Sequence, residues 1–112
     1  MADTTINIDD LDRDLSFEPA NPTHLKALTP EQIDFYNEQG YLRPFRIFDE
    51  EEADAQRAYF DRLLEQVQTH RDGDTYAING YHTRCRGIYE LIHHPKILDL
   101  VEDIIGPNII CW

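Results

Sequence analysis

Tyr81-His82-Thr83-Arg84-Cys85-Arg86, followed by His93, His94 and Lys96, gathers the densest set of cationic and coordinating side chains in the sequence, with Glu90 as its one acid. The chain as a whole carries 10 Lys and Arg against 22 Asp and Glu, a net charge of -12, so this stretch reverses the prevailing sign. Guanidinium groups beside an imidazole are donors matched to carboxylate or phosphate oxygens. His82, Arg84 and Arg86 are therefore the candidate substrate-binding residues, and the ligand they suit is a small molecule that is anionic or bears an anionic group. The competing reading is that the arginines pair with the abundant surface carboxylates, an arrangement that contributes little to stability.

Two further patterns suggest metal chemistry and do not carry it. His70-Arg71-Asp72 is a literal H-x-D, the spacing found in iron facial triads, and also the H-R-D of a kinase catalytic loop. A facial triad needs a second histidine from a distant strand, whereas His82, His93 and His94 all follow within one loop and one helix start. A kinase needs a glycine-rich loop and a strand lysine upstream, and neither is present. Placed at the end of a helical stretch, His70 and Arg71 instead suit the negative helix terminus. The adjacent His93 and His94 would point about 100 degrees apart on a helix and cannot share a metal as H-x-x-x-H does. No catalytic residue and no metal ligand is assigned. Cys85 and Cys111 are far apart and lack C-x-x-C spacing, which favours two reduced thiols.

The elements that must position these residues are marked by helix start and stop signals. Residues 1–27 are rich in Asp, Thr, Asn and Pro and are expected to form a flexible acidic tail. Order is expected from Leu28: Thr29 caps, Pro30 occupies the first helical position, Gln32 completes a capping box, and Leu28 staples onto Ile33. Gly40 closes that helix, and Tyr41 to Phe45 leaves in an extended form in which Pro44 suits an edge. Asp49 and Glu52 form a second capping box, with Phe48 placed to staple onto Ala53. The longest helix follows, with Ala53, Phe60, Leu63, Leu64 and Val67 as its apolar stripe. Thr75 to Gly87 has no clear period. His94 and Pro95 open a last helix with Ile97, Leu98, Val101, Ile104 and Ile105 as its stripe, closed by Gly106-Pro107.

Composition narrows the function classes. The net negative charge repels phosphate backbones and anionic lipid, which excludes nucleic acid and membrane surfaces as expected partners. The N-terminus lacks the basic and apolar regions of a signal peptide, and no apolar run approaches the roughly 20 residues of a transmembrane helix. A cytoplasmic location is expected. Ile109-Ile110-Cys111-Trp112 looks like the opening of a strand that continues into a longer protein, so these residues are expected to be its front part.

Leu28-Thr29-Pro30-Glu31-Gln32-Ile33-Asp34-Phe35-Tyr36 with Glu38-Gln39-Gly40-Tyr41-Leu42 resembles the opening helix and strand of the phytanoyl-CoA dioxygenase family. The acidic start Asp49-Glu50-Glu51-Glu52 fits the same pattern. His82, the His94-Pro95 helix start and Val101-Glu102-Asp103-Ile104-Ile105-Gly106-Pro107-Asn108-Ile109 resemble the family's next region, including members that halogenate instead of hydroxylate. The likeness covers residues 28–112. It implies an α+β fold, the mainly helical N-terminal portion of a double-stranded β-helix (jelly-roll) oxygenase with its barrel incomplete in this chain. It also implies Fe(II) and 2-oxoglutarate as cofactors of the full-length enzyme, held by residues that lie beyond Trp112 in the family pattern, and a fragment inactive by itself. The alternative is a small non-enzymatic acidic helical module that binds a partner protein through an apolar stripe. The oligomeric state is open.

Overall fold

The computed structural model describes residues 14–70 and 80–111. Among the described residues four α-helices follow in chain order: α1 (Pro30–Gln39), α2 (Glu50–His70), α3 (Arg86–Ile92) and α4 (Pro95–Ile105), with a 3-10 turn over Tyr81–Thr83 between α2 and α3. Helix accounts for 58% of the described residues and strand for none, which overturns the expected α+β jelly-roll architecture. The physical reason lies in the two stretches read as strands. Among the described residues neither Tyr41 to Phe45 nor Ile109 to Cys111 has a neighbouring segment to form a ladder with, and Pro44 has no N–H to donate. Ile110 is 90% exposed, so no sheet face covers it.

The helix boundaries follow from local side-chain chemistry. Thr29 Oγ1 accepts from Gln32 N while Gln32 Oε1 accepts from Thr29 N, a reciprocal box that satisfies two of the orphan donors at the start of α1. Gly40 closes α1 at φ 81°, a left-handed conformation in which a side chain would be strained. Asp49 and Glu52 repeat the box at the start of α2. His94 Nδ1 accepts the Lys96 N–H at 3.2 Å and so caps α4. Helix α3 starts without a side-chain cap at Cys85.

The core is small and lies where α1 meets the segment preceding it. Ala20, Leu28 and Ile33 form its buried centre, with Tyr36, Leu42, Leu100 and Ile104 packed around it. The Leu28 staple onto Ile33 is therefore real and joins a tertiary cluster. At the start of α2, Ala53 is exposed, and the Phe48 ring sits edge-on to His94 at 5.1 Å. The α2 stripe is only partly covered, with Val67 buried and Phe60 48% exposed. On α4 the inward positions are Leu100, Asp103 and Ile104, whereas Ile105 is 59% exposed.

Residues 14–29 carry no helix, yet two points tie them down. Asn37 on α1 brackets Ala20, accepting from its N–H at 2.7 Å and donating to its carbonyl at 2.9 Å. Asp103 on α4 receives the N–H groups of Lys26, Ala27 and Leu28 at 2.8–3.1 Å. That carboxylate is only 2% exposed. Burial alone pushes the Asp103 carboxyl up, but the three backbone donors and the nearby Lys26 ammonium outweigh it and hold the group below the usual carboxylate range. Among the described residues no helix is long and apolar enough to cross a membrane.

Candidate functional site

The three candidate substrate-binding residues are placed by the 3-10 turn and the start of α3. Thr83 closes the turn by donating its N–H and hydroxyl to the Gly80 carbonyl, and Arg84 N and Cys85 N both donate to the Tyr81 carbonyl. Tyr81 is buried and anchors the turn, leaving His82 half-buried and Arg84 exposed. Arg86 stands in the first turn of α3, where its Nε donates to Glu90 Oε1 at 2.8 Å one helical turn along. That bond, more than the neighbouring charge, stabilises the Arg86 cation, which is held above its ordinary value.

Arg86, unlike His82 and Arg84, lines a cleft beside the long helix. A cleft of about 650 Å³ separates α2 from α3, lined by Gln56, Tyr59 and Arg62 on one wall and Arg86, Glu90 and His94 on the other. At its floor the Tyr59 ring of α2 rests on Gly87 of α3. A Cβ there would lie 2.7 Å from Tyr59 Cε1 and Cε2 and nearer still to Cζ, so only glycine lets the Tyr59 ring rest against α3. His82 and Arg84 do not line this cleft. Sequence reasoning missed Gln56, Tyr59 and Arg62. Their one mark in the sequence is an arginine three positions beyond an aromatic on the same helix, a spacing that any solvated helix face can carry.

His93 and His94 each have a partner of their own. His93 Nδ1 donates to the Tyr89 carbonyl at 2.8 Å, and its ring stacks on Tyr89 at 3.9 Å. His94 uses Nδ1 as the α4 cap, so in its neutral form the hydrogen is on Nε2. Among the described residues no group of three His, Cys, Asp or Glu side chains converges on one point. Arg71 and Asp72 of the H-x-D lie outside the described residues. Cys85 and Cys111 are free thiols.

A second concavity differs in character. Tyr36 of α1, Leu42 and Ile47 of the connecting segment, and Ile97, Leu100 and Ile104 of α4 border an apolar groove of about 330 Å³. Lys96 Nζ reaches the Ile47 carbonyl at 3.3 Å and ties the connecting segment to α4 along its edge. Comparison with protein-family models, with curated proteins and with solved structures finds no match to this chain.

Proposed function

We propose that this chain is the helical leading layer of a cytoplasmic non-haem Fe(II), 2-oxoglutarate-dependent oxygenase of the phytanoyl-CoA dioxygenase type, acting on a small organic substrate by hydroxylation or halogenation. One observation carries the reading. The segments that resemble the family, residues 28–42, 49–52, 94–95 and 101–109, occur in the family's order, and each holds a helix start or stop built from its own capping groups. The open apolar groove between α1 and α4 supports it, because a layer of this kind buries such a face against the rest of its enzyme. The iron and the 2-oxoglutarate belong to residues outside this chain. Here the chain supplies scaffold, with Arg86 as a cationic group toward an anionic part of the substrate.

The test is the reading frame past codon 112 together with the protein it encodes. An in-frame H-x-D and a later histidine, with Fe(II)-dependent conversion of 2-oxoglutarate to succinate by the encoded protein, is the expected result. A stop codon directly after Trp112 overturns the proposal in favour of a small helical interaction module.

A further inference from the structure

Gln56, Tyr59, Arg62, Arg86 and His94 bring side-chain hydrogen-bond donors to the cleft between α2 and α3, beside the apolar Ala55, Gly87 and Leu91. Arg62 makes no ion pair among the described residues. Arg86 is held through Nε alone, which fixes the plane of its guanidinium while leaving both terminal amino groups without a partner among the described residues. His94, with Nδ1 committed to the α4 cap, presents Nε2 as a donor when neutral. Gln56 and Tyr59 also line the cleft. Glu90 is the single acid in the lining, and it is already bonded to Arg86.

We propose that this cleft binds the oxyanion group of a small molecule, a carboxylate or a phosphate, between Arg62 and Arg86. The two arginines, 24 positions apart in sequence, line the same cleft, where the Tyr59 ring of α2 rests on Gly87 of α3. Glu90 holds only the Nε edge of Arg86 and offsets part of its charge, so its carboxylate competes with an incoming oxyanion. The inference stands on this cleft and holds whether or not the chain serves an oxygenase.

The experiment is an NMR titration of the 112-residue chain with inorganic phosphate in one arm and acetate in the other. Saturable shifts centred on Gln56, Arg62, Arg86 to Glu90 and His94 are expected, and the tighter arm identifies the ligand class. Arg62→Gln or Arg86→Gln should each weaken binding about tenfold, as expected for one lost charge-assisted contact. Glu90→Gln should tighten it several-fold by removing the one competing carboxylate, a gain that no loss of fold can produce. Unsaturable shifts in both arms, shifts spread equally over Arg43 and Arg46, or weaker binding by Glu90→Gln would overturn the site. If an arginine variant fails to fold, the Glu90→Gln measurement decides alone.

Discussion

The corner where α1 and α4 meet and the junction of α2 with α3 use their polar groups in opposite ways. At the first, one buried carboxylate, Asp103, takes three consecutive backbone donors from a segment about 76 residues away, and its hydrogen-bonding capacity is consumed by the fold. At the second, a tyrosine ring on a glycine makes the contact, and the guanidiniums around it stay in solvent: the Arg86 side chain is 90% exposed. Polar groups that are saturated and dry hold a structure together, whereas wet ones with spare donors remain free for a ligand. The contrast locates stability in the α1–α4 corner and recognition in the α2–α3 cleft.

Removing the carboxylate tests the first half most severely. Asp103→Ala strands three N–H groups against an apolar cluster and should cost about 3–5 kcal/mol in urea unfolding, enough to free residues 14–28 from α4. Because the folded Asp103 carboxyl titrates below its ordinary 3.8, its contribution is present above that value and is lost as pH falls through the depressed folded value. The stability gap between the native chain and Asp103→Asn should therefore be constant near neutrality and narrow under acid. A gap that does not change with acidity would show that the backbone donors do not favour the charged form.

Smaller effects are expected from single local devices. Gly87→Ala gains about 1 kcal/mol of helix propensity but forces the Tyr59 ring aside at a cost of about 1–3 kcal/mol, so a net loss near 1 kcal/mol is expected, with the larger change in tyrosine fluorescence. Thr29→Ala removes half of the α1 capping box and should cost about 1 kcal/mol, read as a lower denaturant midpoint with an unchanged slope. Glu90→Gln should leave the melting midpoint where it is, because the ion pair it breaks lies in solvent. A clear fall in that midpoint would move the α2–α3 junction into the stabilising class and erase the contrast.

Much of the helical frame is legible from residue types alone. Thr29 with Gln32, Asp49 with Glu52, Gly40 and His94 act on neighbours three or four positions away, so their signals survive without any knowledge of the fold. Helix α3 escapes notice because it has seven residues and no side-chain cap, leaving nothing periodic to detect. Asp103 escapes for another reason. An aspartate between Val101 and Ile104 reads as a surface charge, and it is buried only because residues 26–28 deliver donors to it. The jelly-roll expectation fails on the same ground: a strand exists only through a partner, and residues 41–47 and 108–111 have none among the described residues.

Local sequence thus decides where α1, α2 and α4 begin and where α1 turns off, and it marks Tyr81 to Lys96 as a cationic stretch in an acidic chain. Capping and charge act over one helical turn or by simple composition, so no tertiary contact is needed to set them. Tertiary structure decides which cations share a site. It lines one cleft with Arg62 and Arg86 and leaves His82 and Arg84 out of it, beside a contact between Tyr59 and Gly87 that spans 28 positions of sequence. It likewise turns Asp103 from a surface charge into the clamp of the core, since desolvating a carboxylate is tolerable only where three backbone donors converge on it.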